Sequence, residues 1–263
     1  MLKVFTHHRY LLWQFTKRQI EQRHRGSALG MIWSVLSPLA MMAIYTVVFG
    51  LIFKGRYKGV ENQSTMDYAL GIFLSITIFQ TISEVISSSA GAIVAQPNLV
   101  KKVVFPLEIL PLANLGAAFY QFGVSLILVL LGVAILGNGL SLHSLLFFVA
   151  FLPLIPLALG AALLLSSLGV FLRDIQYAVG PLCMVLMYAS AVFYSANMIP
   201  PAIWAFIKYN PLIHIIEQAR AVLLWHQPLQ WHGLAYSFAC GLVLLAVGLV
   251  TFKKLKPAFA DVI

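Results

Sequence analysis

The chain has 263 residues, of which 61% are hydrophobic and only 10% charged, and its formal net charge is +9. A water-soluble domain keeps about a quarter of its residues charged, so this composition excludes a single aqueous-facing globule and puts most of the exterior in lipid. Cys183 and Cys240 both fall within long apolar runs and offer neither a disulfide framework nor metal-ligand spacing.

The first residues, MLKVFTHHRYLLWQFTKRQIEQRHRG, lack the continuous apolar core and small-residue cleavage site of a signal peptide, so the N-terminus is expected to be retained. Within residues 1–31, Tyr10, Trp13, Phe15 and Ile20 lie among Arg9, Lys17, Arg18, Arg23 and Arg25. That mixture suits an amphipathic helix lying in an anionic interface, although a solvated leader with topogenic charges has the same composition.

Six apolar stretches follow, at 32–53, 68–91, 107–136, 144–172, 175–198 and 232–252. Each is near or above the roughly 20 residues a helix needs to cross a bilayer, which predicts an all-α integral membrane protein of six transmembrane helices in one domain. The second stretch carries Glu84, and Glu108 lies at the start of the third. An acid in a span is either a functional group or a hydrogen-bonded structural one, and Glu84 has Ser83, Ser87, Ser88 and Ser89 around it. The fourth carries Pro153 and Pro156, which a span tolerates when its neighbours satisfy the freed carbonyls.

Two connections have character of their own. In segment 92–106, Pro97 and Pro106 bracket NLVKKVVF, a stretch long enough for a short helix; an ordinary loop carrying Lys101 and Lys102 for topology explains it equally well. Residues 199–231 are too apolar for a simple loop and too interrupted for a clear span. Their run NPLIHIIEQARAVLLW has helical apolar spacing, with Glu217 and Arg220 three apart and able to pair. A helix hairpin re-entering the membrane is expected there; a seventh span would put the C-terminal lysines on the wrong side.

With six spans the termini share a side, and that side collects twelve of the 17 basic residues. The positive-inside rule then places the termini in the cytoplasm. The basic charge is topological, and no nucleic-acid partner is expected, because no basic patch interleaved with aromatics stands on a soluble domain. No catalytic or metal constellation is present in the pattern. His214 and Glu217 lack the second histidine of a zinc-protease helix, and there is no G-x-x-x-x-G-K-[ST] run to hold ATP. The spans instead carry aromatics at helical spacing, Tyr45 and Phe49 in the first and Tyr177 and Tyr188 in the fifth. Aromatic rings pack on the C–H faces of sugars while a phenol hydroxyl takes a hydrogen bond; helix packing and lipid contact are the plainer uses of the same residues.

Four fragments, RGSALGMIWSVLSPL from Arg25, QPNLVKKVVFPLEILP from Gln96, FLRDIQY from Phe171 and the Asn210–Pro211 pair, occur in an order and spacing that resemble the permease subunits of ABC-2 type polysaccharide exporters. These move O-antigen, capsular polysaccharide or teichoic acid. The resemblance covers nearly the whole chain and implies a homodimer in the bacterial inner membrane, exporting lipid-linked polysaccharide with two separate ATP-binding-cassette subunits that bind the ATP and Mg²⁺. It implies that Gln96, Pro97, Asn98, Leu99, Val100, Lys101 and Lys102 form the coupling helix, and that the N-terminal segment with Arg25, Gly26 and Trp33 makes a second ATPase contact at the interface. Tyr45, Phe49, Tyr177 and Tyr188 would line the path, and 199–231, with Asn210, Pro211, Glu217 and Arg220, would form a periplasmic gate. Arg173 and Asp174 fall in the short cytoplasmic turn, where they are placed to pair. A secondary transporter and a membrane-embedded transferase are the competing classes on composition alone.

Overall fold

A computed structural model describes residues 8–53, 57, 64–101, 105–137 and 139–263. Among these residues the chain is helical, without strands. Lys102 of the predicted coupling segment, and Lys3, Lys54, Arg56 and Lys58 among the 17 basic residues that enter the charge bias, lie outside the described residues.

Helix α1 (Arg9–Gln22) is followed by a reversal and then by α2 (Trp33–Tyr45), entered through a 3₁₀ turn at Gly30–Ile32 and continued by π-helical turns over Thr46–Ile52. The reversal requires left-handed backbone at Gly26 (φ +88°) and Gly30 (φ +51°), which glycine adopts without steric cost. Ser34 anchors it, its hydroxyl lying 2.8 Å from His24 Nε2 while its carbonyl accepts from Gln121 Nε2 at 2.9 Å.

Helix α3 (Thr65–Ala90) begins with a capping box: Ser64 Oγ accepts from the Asp67 amide and Asp67 Oδ2 accepts from the Ser64 amide, both at 3.0 Å. It is the central helix of the bundle, buried over most of its length. Short helix α4 (Pro97–Lys101) leads to α5 (Ile109–Leu136). Next come a 3₁₀ turn at Leu142–Leu146, α6 (Phe147–Phe151) and α7 (Leu154–Phe171), with the interruption just before Leu154 falling at Pro153. Helices α8 (Ile175–Tyr188), α9 (Pro201–Ile207), α10 (Pro211–Trp225), α11 (Trp231–Leu255) and α12 (Phe259–Val262) complete the chain.

Among the described residues, five helical stretches are long and apolar enough to cross a membrane: Gly30–Ile52, Thr65–Ala90, Ile109–Leu136, Leu142–Phe171 and Trp231–Val262. The expected continuous span at 175–198 is corrected: its helix ends at Tyr188 after 14 residues, about 21 Å at 1.5 Å per residue. The backbone then turns through Ala191, which has φ +51°.

Close helix contact depends on small residues, as expected where lipid removes most of the hydrophobic drive between helices. Helices α7 and α11 cross where a Cβ on Gly248 would lie 2.5 Å from the carbonyl oxygen of Gly160, and a Cβ on Gly169 of α7 would collide with the carbonyl of Ala90 in α3. The main core runs along α3, α5, α7 and α10. A second cluster joins Ile93, Leu107, Leu110, Val170, Phe252 and Phe259, with Phe15, Leu99 and Val100 packed on it. It therefore gathers α1, α4, the end of α7 and the C-terminal helices at one end of the bundle, the end from which α1 starts and at which the C-terminus lies. Glu108 closes this end, its two carboxylate oxygens accepting from Lys256 Nζ at 2.8 and 3.0 Å.

Candidate functional site

The turn after α8 gives the opposite half of the bundle its shape. Beyond the Ala189 and Ser190 amides, which still bond back to α8, its backbone leaves the helical pattern, and inside an apolar surrounding each group left unpaired costs several kcal/mol, on the order of a lost hydrogen bond or more. Side chains from three directions satisfy them. Asn210 Nδ2 donates to Ala189 O and to Ser190 Oγ, both at 2.9 Å, while Asn210 Oδ1 accepts from the Leu212 amide at 3.0 Å and so caps α10. Pro211 occupies the first position of that helix, where its missing N–H is no loss. Tyr68 Oη of α3 donates to Phe193 O at 3.1 Å.

Arg220 supplies the rest. It is fully buried (0% exposed), and its Nη1 donates to Ala191 O at 3.1 Å and Ser75 Oγ at 3.2 Å. Its Nη2 donates to Tyr194 O at 3.3 Å and to Glu217 Oε1 at 2.6 Å. The same Glu217 oxygen accepts from the Ala196 amide at 2.7 Å, and the guanidinium carbon lies 4.5 Å from the centre of the Tyr57 ring. With a longer contact from Nη1 to Val192 O at 3.5 Å, the planar fork of arginine lets one residue bind three carbonyls, a hydroxyl and a carboxylate at once. Burial pushes the Tyr57 phenol up to about 12, against an opposing pull from the Arg220 charge.

Held in this way, the turn presents Phe193 between two helices. Its ring stacks on Phe49 of the first span at 5.6 Å between centroids and tilts against Tyr188 at 6.2 Å. Tyr45 lies 6.1 Å from Phe49, and Phe53 stacks on Phe49 at 5.7 Å. Tyr45, Phe49 and Tyr188 thus belong to one continuous aromatic surface, with Phe193 as its link. Sequence reasoning passed over Phe193 because AVFYS reads as the end of a span; the signal was the run of Ser195, Asn197 and two prolines just after it. Tyr177 is not brought into this surface. It is 82% exposed and sits eleven residues before Tyr188, about 16 Å along the same helix.

At the end holding the termini, α4 exposes Pro97, Asn98 and Lys101 and turns Leu99 and Val100 inward onto the Phe259 cluster, with Gln96 half-buried before it. Arg25, Gly26 and Trp33 lie exposed around the reversal that joins α1 to α2. Arg173 and Asp174 are exposed in the turn between α7 and α8; among the described residues they form no ion pair with each other. Glu84 is paired with Arg23, so its partner comes from the N-terminal segment rather than from the neighbouring serines.

The sequence matches the model of the ABC-2 type transporter family over residues 10–224. It is 26% identical to the O-antigen export system permease protein RfbA of Klebsiella pneumoniae over 258 residues, covering 96% of this chain and 95% of that one. It is also 26% identical to the RfbA permease of Myxococcus xanthus, with 99% and 98% covered, and to the polysialic acid transport protein KpsM of Escherichia coli, with 92% of each covered. With that match spanning both the aromatic surface and the polar turn that orders it, the chain belongs to the ABC-2 type transporter family.

Proposed function

We propose that the chain is the permease subunit of an ATP-driven exporter that moves lipid-linked polysaccharide, of the O-antigen or capsular class, across the bacterial inner membrane. Two copies form the channel, and two separate ATP-binding-cassette subunits bind ATP and Mg²⁺. The observation that carries this reading is the aromatic surface of Tyr45, Phe49, Phe193 and Tyr188, which lies on the first span, on α8 and on the turn after it, elements little covered by their own chain. The first span buries little, and α8 buries only a stripe through Val179 and Cys183. Faces of this kind suit a second copy and a hydrated polymer passing between the two. The names of the relatives, O-antigen permeases and a polysialic acid transporter, support the substrate class.

In this reading α8 is a short fifth span whose far end is completed by the polar turn, and α9 and α10 are the two arms of a hairpin in the outer leaflet. The burial of α10 along Leu212, Ile213, Ile215 and Ile216 supports that placement. The end holding the termini faces the cytoplasm, supported by the charge bias and by Lys253, Lys254 and Lys256 at the close of the last helix. There, Pro97, Asn98 and Lys101 meet the ATPase, with the segment of Arg25, Gly26 and Trp33 as a second contact, and residues 199–231 act as the periplasmic gate.

The test is deletion and complementation. A strain lacking this chain should retain polysaccharide inside the cell and lose it from the surface. The wild-type gene should restore export only with an intact P-loop partner. Normal surface polysaccharide in the deletion strain would refute the proposal.

A further inference from the structure

Beside the polar turn, at the end of the bundle away from the termini, lies a cavity of about 250 Å³. Its walls include Tyr57, Asn197, Trp204, Glu217, Gln218 and Trp225. The volume falls just below the usual range for small-molecule sites, about 300 Å³ and upward, so the space suits one small polar ring and not a length of polymer.

Its chemistry is more selective than its size. The indole N–H of Trp225 is buried and has no hydrogen-bond partner among the described residues, an arrangement that is costly when nothing fills it. Glu217, which lines the cavity, binds Arg220 and the Ala196 amide through Oε1, so among the described residues its second carboxylate oxygen takes no part in those bonds. Gln218 spends its Oε1 on the Gln230 amide at 2.7 Å, which leaves its NH₂ donors available. An acceptor-only carboxylate, an indole donor and carboxamide donors, set beside aromatic rings, match a ligand whose hydroxyls both donate and accept and whose ring carries apolar C–H faces. A single sugar residue has this combination; a phosphate would meet the Glu217 charge and lacks the apolar face.

The position agrees. Ser195, Ala196 and Asn197, which line the cavity, directly follow Phe193 and Tyr194 in the chain. The cavity therefore adjoins the aromatic surface on the side that the proposed export direction makes the exit. We infer that it is a monosaccharide subsite, which takes one glycosyl residue of the emerging polymer. This inference rests on the export reading given above.

The experiment uses the full chain with its ATPase partner in lipid nanodiscs, and titrates D-glucose, D-galactose, D-mannose, L-rhamnose and N-acetyl-D-glucosamine by saturation-transfer NMR. At least one sugar should bind saturably at millimolar concentration. Trp225→Phe keeps the ring and removes only the buried N–H, so it should fold at least as well as the wild type yet bind about tenfold more weakly, equivalent to about 1.4 kcal/mol. Trp204→Leu, which alters a partly exposed wall, should weaken binding in the same direction, whereas Trp231→Leu, outside the cavity, should not. No saturable binding by any of these sugars, or wild-type binding by Trp225→Phe, would overturn the subsite. Either result in a preparation that still supports export leaves the permease reading standing, and only loss of the deletion phenotype touches that reading.

Discussion

The Arg220 guanidinium lies 2.6 Å from the Glu217 carboxylate, one helical turn earlier on α10, and the arginine is completely buried. An ion pair in such surroundings gains little net stability over apolar residues of the same shape, because two charges must be stripped of water. Breaking it is different. Arg220→Met leaves the carbonyls of Ala191 and Tyr194 without this donor and the Glu217 carboxylate with only the Ala196 amide and no counter-charge, and should cost about 3–5 kcal/mol. Glu217→Gln keeps an oxygen for the Ala196 amide and should cost less. Arg220→Lys should fall between, since an ammonium lacks the fork that reaches both sides of the turn. Thermal unfolding of the detergent-solubilised protein reads all three; an Arg220→Met protein melting with the wild type would remove the turn's assigned support.

Tyr57 gives the same cluster a pH signature. Its phenol titrates at about 12 in the folded protein, against about 10 when unfolded. Between those values the unfolded chain releases a proton that the folded one still holds. Stability from this group is therefore complete below about pH 10 and is lost as pH rises towards about 12, by about 3 kcal/mol in all. Lysines titrate in the same window, so the quantity to measure is the difference in unfolding midpoint between wild type and Tyr57→Phe. That difference should shrink as pH rises; a constant difference would show that burial does not hold the proton.

Phe193 should matter to transport as much as the tyrosines it joins. Phe193→Ala breaks the link between Phe49 and Tyr188 while leaving the backbone bonds of Ala191, Phe193 and Tyr194 in place. Surface polysaccharide should fall with Phe193→Ala, Tyr45→Ala and Tyr188→Ala, and remain near normal with Val47→Ala and Val185→Ala, whose side chains point elsewhere and are exposed. Tyr177→Ala should resemble the valine controls, because Tyr177 stands apart from the aromatic surface. Equal losses at all six positions would mean that these residues only pack the helices.

Helix class, the five long apolar segments and the pairing of Glu217 with Arg220 were legible because each depends on local spacing. Hydropathy over twenty residues identifies a span, and residues three apart on a helix face one another. The end of α8 at Tyr188 was not legible. Ala189 to Tyr194 is as apolar as a span, and what permits it to turn is donors contributed by Asn210, Tyr68 and Arg220, the last two more than 25 residues away in sequence. The partner of Glu84 was missed for the same reason, because Arg23 reaches it from a different element. Membership of Phe193 in the aromatic surface depends in turn on the course of that backbone, so no periodicity argument could supply it.

The last prediction concerns how force would enter the bundle. Helix α4 has only five residues, too few to hold its shape without tertiary support. That support is Leu99 and Val100 packed on the cluster of fully buried Phe259, while Pro97, Asn98 and Lys101 face outward. If an ATPase pushes on the exposed edge, the inner edge determines whether the push moves α3 and α5 or merely deforms a loop. Replacing Asn98, Leu99 and Val100 together by glycine should leave ATP hydrolysis by the complex largely intact and lower polysaccharide exported per ATP by about tenfold, within the 1–3 kcal/mol typical of coupling between sites. Phe259→Ala leaves the outward edge untouched and should still reduce the same ratio, by a smaller factor. Asn98→Ala, altering contact but not backing, should instead weaken association with the ATPase. Normal export per ATP in the triple-glycine variant would show that α4 does not transmit the stroke, whereas a loss confined to Asn98→Ala would assign this segment to docking alone.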